Sequence, residues 1–195
     1  MDEGQVQWGP STMSPLTSRE VSVARPTVFV ALLRAVNVGG TGKLPMKDLC
    51  DLCTAIGFAD VKTYIQSGNV VFKSALPADK VRAALERALA KQMGKPVDVI
   101  VRDAVDLRRV LDANPFRKED PAKVIVLFCA TPPSKDIAKD AVTPGGEQIV
   151  AGRHEVYIYY PEGMGRSKLK LPKATGIATA RNVNTVARLV AMTEA

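Results

Sequence analysis

The chain has 195 residues, 46% of them hydrophobic and 24% charged, which excludes a disordered or fibrous protein and supplies enough apolar side chains for a core. No apolar run approaches the ~20 residues needed to cross a bilayer, so no membrane partner is expected; the longest, Val28 to Leu33, has the length of a strand. The net charge of +7 favours anionic partners, an anionic small molecule or a nucleic acid.

Residues 1–25 combine Trp8 with scattered Ser, Thr and Pro and have no apolar signal-peptide core, the pattern of a disordered leader, and Met13 would serve equally well as a start. Three cysteines without a secretory signal predict reduced thiols and a cytoplasmic address. Thr27 to Val36 is an apolar run of the central-strand type, and Asn37 to Pro45 interrupts it with three glycines. Met46, Leu49, Cys50, Cys53 and Ile56 recur at helical spacing, with Gly57 as a stop. Asp60 to Gln66 alternates, Ser67-Gly68 signals a turn, and Asn69 to Lys73 is the partner strand. Val81 to Met93 forms an amphipathic helix, ended by Gly94 and Pro96, and Val97 to Val101 is another strand. The order over 27–103 is thus β-α-β-β-α-β, which predicts a first ferredoxin-like unit, an antiparallel sheet with both helices on one face.

Residues 104–195 repeat the order less completely. A short helix spans Ala104 to Leu111, a strand Lys123 to Cys129, and a weak helix Lys135 to Lys139. A hairpin joins Gln148–Ala151 to Glu155–Tyr160, and a last helix runs from about Val183 to Met192. This predicts a second, incomplete ferredoxin-like unit whose closing strand is missing or lent from elsewhere, in an α+β protein built by duplication.

Five segments in order carry a resemblance: LLRAVNVGGTGKLPMKDL (32–49), GFADVKTYIQSGNVVF (57–72), NPF (114–116), EVYIYYPEGMGRSKL (155–169) and ATARNVNTVARL (178–189). Together they resemble a widespread bacterial family, domain-of-unknown-function family 1697 (DUF1697). The resemblance covers 27–192 and implies a duplicated ferredoxin-like fold without an established activity. Two positions depart from the family pattern. Ala35 stands where a glycine is usual, and Val183 where a tryptophan is usual, either a lost stacking platform or a smaller core plug.

The loop Asn37-Val38-Gly39-Gly40-Thr41-Gly42-Lys43 lies between a strand and a helix, yet it is not a Walker loop. Asn37 occupies the position of the first glycine and Leu44 that of the hydroxyl residue, and Pro45 likewise breaks the dinucleotide fingerprint. What remains is a glycine-rich connection whose amides can form an anion nest beside Lys43, or simply a flexible turn. Gln66, Ser67 and Asn69 form either a hairpin or a cluster of neutral donors. Asn182 suits the cap of the last helix, whereas Arg181 sets a cation at the positive end of its dipole, a conflict that an anion would remove. Gly163 to Lys168 adds glycines, Ser167 and two cations. Arg34, at a strand end, reaches ligand or pairs with an acid such as Asp48. Cys50 and Cys53 have redox spacing but sit on an apolar helix face, as small core residues do. A single histidine, His154, gives neither a metal cluster nor a Ser-His-Asp arrangement.

From Gly163 to Thr193 there are six basic residues and no acidic one, either a solvated face or a ligand surface. The leading expectation is therefore a phosphate-bearing or otherwise anionic ligand, a nucleotide or RNA, held between the units. Its candidate residues are Arg34, Asn37, Gly39, Gly40, Lys43, Gln66, Ser67, Asn69, Ser167, Lys168, Arg181 and Asn182. Single-stranded RNA would also need stacking aromatics, for which the first sheet offers Phe29, Tyr64 and Phe72 without an RNP motif. The alternatives are a protein-interaction module that forms a homodimer through an unpaired sheet edge, and a metal-free small-molecule enzyme. No cofactor, nucleophile or base can be named from these residues.

Overall fold

The apolar run becomes β1 (Thr27–Leu33), whose residues Val30 to Leu33 are all buried, at the centre of a four-stranded antiparallel sheet. The computed structural model describes Met1 and residues 25–37, 43–172 and 175–195. Most of the expected leader, and the glycines of the 37–43 loop, lie outside the described residues.

After β1 come α1 (Met46–Ala55), β2 (Ala59–Tyr64), β3 (Asn69–Ser74), α2 (Ala78–Met93) and β4 (Val99–Asp103), the order expected for 27–103. The sheet order is β2-β3-β1-β4, with every pair antiparallel. Strand alternation splits the side chains between two faces. Phe29, Ala31, Leu33, Val70 and Phe72 meet Leu49, Cys53, Val81, Leu85 and Leu89 of the two helices. Phe58 stacks on Phe72 with centroids 4.3 Å apart and planes 5° from parallel. Val30, Leu32, Val71 and Ile100 face the other way, into the second half of the chain.

That half contains α3 (Ala104–Asp112), β5 (Val124–Cys129), α4 (Ile137–Asp140), β6 (Gln148–Ala151), β7 (Glu155–Tyr159), β8 (Ala178–Asn182) and α5 (Val183–Thr193). Its sheet order is β6-β7-β5-β8, again antiparallel. The fold is therefore α+β, with two four-stranded antiparallel sheets and five α-helices among the described residues.

Two expectations are corrected here. The second sheet does not lack its closing strand: β8 pairs with β5 from Asn182↔Ile125 to Ala178↔Cys129. The residues of β8, ATARN, carry little apolar signal because the strand presents Thr179 and Arg181 to the interior, and Arg181 and Asn182 look instead like the start of the last helix. The vacancy that motivated dimerisation through an unpaired edge is filled. Nor do the helices of this unit share one face. α5 sets Val186, Leu189 and Val190 against Val124, Val126 and Phe128, whereas Ile137 of α4 lies on the opposite face with Ile125, Val156 and Ile158.

The layers thus run α1 and α2, first sheet, α3 and α5, second sheet, α4. α3 and α5 pack against each other, and both touch β1. Val183 is 6% exposed within the inter-sheet cluster, so this position is a core plug rather than a ligand platform. The RNA platform is also withdrawn, since Phe29 and Phe72 are covered by helices and Tyr64 packs against the inter-sheet core. No helix among the described residues is long and apolar enough to cross a membrane.

The family-pattern glycine at 35 has a local reason. Ala35 has φ +52°, in the left-handed region where a Cβ costs about 1–2 kcal/mol. Ala35→Gly removes that strain and returns part of the gain as unfolded-state entropy. A stabilisation of about 0.5–1 kcal/mol is expected, read as a raised urea midpoint with unchanged slope; a lowered midpoint would refute the strain argument.

Candidate functional site

Most of the sequence-derived site residues are occupied in holding the fold together. Asn37, itself at φ +56°, closes the loop that follows it. Its Oδ1 accepts from the Leu44 amide at 2.7 Å, and its Nδ2 donates to the Leu44 carbonyl at 2.9 Å and to the Gln66 carbonyl at 2.8 Å. Gly39 and Gly40 fall outside the described residues. Arg34 pairs with Asp98 at 2.9 Å rather than with Asp48, and both partners are exposed enough that the pair contributes little. Asn69 is fully buried and donates to Ser67 Oγ at 2.9 Å and to the Tyr64 carbonyl at 3.0 Å. Gly68 has φ +73°, and a Cβ there would meet Val36 Cγ2 at 2.4 Å and Leu33 Cβ at 2.9 Å. Only Lys43 and Gln66 of this group present exposed side chains without such a task.

Arg181 is the correction with most consequence. It does not stand in the helix dipole waiting for an anion. As a β8 residue opposite Val126 it points inward, is 8% exposed, and crosses to the first unit. Its Nε donates to Asn69 Oδ1, its Nη2 to the carbonyls of Leu33 and Ser67 at 2.9 Å each, and its Nη1 to Thr179 Oγ1 and the Ala180 carbonyl at 2.8 Å each. Burial lowers its pKa to about 10, which leaves it charged at neutral pH. Asn182 caps α5 by accepting from the Asn184 amide at 2.9 Å, and its Nδ2 donates to the carbonyls of Pro121 and Ala122.

A second buried polar cluster escaped the sequence reading. Glu155 has a fully buried side chain against which Arg109 of α3 places both Nη atoms at 3.0 Å, a bidentate pair. The amides of Arg153 and His154 donate to the same carboxylate at 3.2 and 3.1 Å. Burial pushes the Glu155 pKa up, but these donors and the Arg109 charge outweigh it and hold it below 4.5. Tyr157 donates to the Val110 carbonyl at 2.7 Å. Arg102, from β4, donates to the carbonyls of Cys129 and His154 at 2.8 and 3.1 Å. Its Nε lies 3.1 Å from Asp106 Oδ2 without the alignment of a hydrogen bond. The available signal was the alternation of Glu155, Tyr157 and Tyr159 along β7, which sets a carboxylate on the same strand face as two inward tyrosines. These contacts fasten the units.

Ser167 and Lys168 lie elsewhere. With Pro144, Gly145, Glu147, Tyr160, Pro161, Glu162, Gly163 and Arg166 they line an open cleft of about 360 Å³, to which none of the described residues of 34–69 contributes. Their neighbours Leu169 and Leu171 pack on the α4 side of the second sheet, opposite the face that carries Arg181. The described candidates therefore do not share the single surface expected between the units. Glu147 anchors the cleft floor, 7% exposed, accepting from the Ser167 hydroxyl and from the Gly145 amide at 2.9 Å. The Ser167 hydroxyl, with the amides of Glu147 itself and Gly145, holds its pKa below 4.5, with burial opposing them. Arg166 and Lys168 are exposed, and no ion pair among the described residues involves either.

Among the described residues, no group of three or more His, Cys, Asp or Glu side chains is placed to hold a metal ion. Cys53 lies in the first core, and its thiol pKa is pushed up to about 12, chiefly by burial, which makes it inert as a nucleophile.

The chain is similar in fold to a conserved bacterial protein, SP0830 from Streptococcus pneumoniae, with a TM-score of 0.67 and 22% sequence identity. The likeness covers 87% of this chain and 99% of that one. No curated protein matches the chain. The model of a family described as protein of unknown function (DUF1697) matches residues 27–157, which span both sheets from β1 through most of β7. On that match, the chain belongs to the DUF1697 family.

Proposed function

We propose that the chain binds a small ligand through an anionic group, phosphate or carboxylate, in the cleft lined by Arg166, Ser167 and Lys168. The observation that carries this reading is a pair of cations, without ion-pair partners among the described residues, on the wall of a concave cleft. Its volume of about 360 Å³ falls within the range of small-molecule sites, roughly 300–1,000 Å³. Gly163, at φ +79°, lets the chain turn so that both cations border the same opening. A nucleotide phosphate fits this description better than a single-stranded RNA, because the aromatic faces that would stack bases are covered. Arg181 supports the site indirectly, by fixing the sheet against which it is built.

The architectural reading that goes with it is that the first unit is ferredoxin-like. Its element order, its strand order and the two helices on one face support this. The second unit is then a variant in which residues 160–177 replace the second crossover helix and the helix follows β8 instead.

Titration calorimetry of the whole chain with adenosine monophosphate, inorganic phosphate and monoethyl phosphate tests the ligand reading. Binding is expected to weaken with added salt, and Arg166→Ala and Lys168→Ala are each expected to weaken it about tenfold, the worth of one charge-assisted bond. Arg34→Ala and Lys43→Ala are expected to leave it unchanged. Absence of binding, or sensitivity to Lys43 with none to Lys168, would overturn the assignment.

A further inference from the structure

We infer that the same cleft also receives an ammonium group, so that its ligand is a small zwitterion: a primary amine joined by a short linker to the anionic group. This rests on the anion reading above and adds a second subsite at Glu147. The argument begins with a carboxylate that is 7% exposed. Both of its oxygens are engaged, by the Ser167 hydroxyl and the Gly145 amide. Those donors fix its direction without neutralising it. No ion pair among the described residues includes Glu147, although Arg166 and Lys168 border the same cleft. Neutral donors keep this carboxylate ionised but leave its net charge uncompensated among the described residues, which suits it to an incoming positive charge.

Tyr160 supplies the adjoining wall. It is 8% exposed, and burial together with the Glu147 charge holds its phenol protonated, so the carboxylate's field reaches that ring. An aromatic ring beside an acid is a favourable surface for an alkylammonium. The charges of the lining give the same answer. Glu147 and Glu162 balance Arg166 and Lys168, so the lining among the described residues is neutral. A simple anion compensates only the two cations and brings its charge towards the two acids. A zwitterion compensates both signs, with its amine at the buried floor and its anion at the exposed rim.

The test compares matched pairs of probes that differ only in the amine. These are 2-aminoethyl, 4-aminobutyl and 6-aminohexyl phosphate, set against ethyl, butyl and hexyl phosphate, and titrated calorimetrically into the whole chain. At least one amine is expected to bind tenfold or more tightly than its partner, the worth of one charge-assisted contact. Glu147→Gln, which keeps the size of the side chain, is expected to erase that difference while leaving the plain alkyl phosphates bound. Equal binding within every pair overturns the ammonium subsite and leaves the anion site standing. Failure of all six to bind overturns both. A preference for amines that survives in Glu147→Gln places the ammonium elsewhere and also overturns the inference. The wild-type comparison stands by itself if that variant fails to fold.

Discussion

Arg181→Ala is expected to lose about 3–5 kcal/mol of stability, a fall of roughly 10 °C in Tm for a chain of this size. The wild-type guanidinium satisfies carbonyl oxygens from three places at once: the end of β1, the β2–β3 turn and β8 itself. Alanine leaves the Leu33 and Ser67 carbonyls and the Asn69 side-chain oxygen facing a cavity between the sheets. Arg181→Lys is expected to recover less than half of the loss, because three donors on one nitrogen cannot reproduce a planar fork that reaches both units. Urea unfolding of the three proteins decides the matter. An alanine variant within 1 kcal/mol of wild type would show that water replaces the guanidinium without cost, and the arginine would then return as a candidate ligand contact.

Glu155→Ala is the second large effect, expected at about 2–4 kcal/mol, because it strands two amides and leaves Arg109 with Asp106 as its one remaining acid partner. The partial exposure of Arg109, at 34%, tempers the loss, since water can reach the stranded guanidinium. The same group imprints a pH dependence. Its folded pKa lies below the ordinary 4.5, so the unfolded chain takes up its proton first as the solution is acidified. Its contribution is therefore complete above pH 4.5 and drains away as pH falls through the lower folded value. Glu155→Gln is expected to flatten the stability profile over that interval while changing little of its shape at neutral pH and above. Urea midpoints measured between pH 3 and pH 7 give the comparison. An acid limb as steep in the glutamine variant as in wild type would assign the acid sensitivity to other carboxylates.

Much of the first unit could be read from the sequence because its strands declare themselves by apolar content or, in β2, by alternation, and each helix by period. β1 is almost wholly apolar, and α2 sets Val81, Leu85 and Leu89 at four-residue steps. β8 failed that test for a physical reason: its inward positions carry Thr179 and Arg181, which are buried because they are hydrogen-bonded, and hydropathy does not register such burial. The site was harder to read than the fold. Asn37, Ser67, Asn69 and Arg181 looked like a ligand cluster because they are polar and set among glycines, and they do converge. Ser67, Asn69 and Arg181 converge on one another, and Asn37 on the backbone of Leu44 and Gln66, which residue type and spacing do not distinguish from convergence on a ligand. Glu147 and Tyr160, by contrast, come from separate segments with no shared motif, and only the folding of the 144–168 region places them in one cleft.

The helix at Val183–Thr193 has one more implication, for the order of events during synthesis. The first sheet emerges from the ribosome with one side sheltered by α1 and α2 and the other, bearing Val30, Leu32, Val71 and Ile100, bare. α3, which follows β4 directly, covers part of that plane, but α5 completes the cover only about 90 residues after β4, some 5–20 seconds at ordinary translation speeds. Throughout that interval the nascent chain displays a sticky plane, a natural target for chaperones that scan for exposed aliphatic patches.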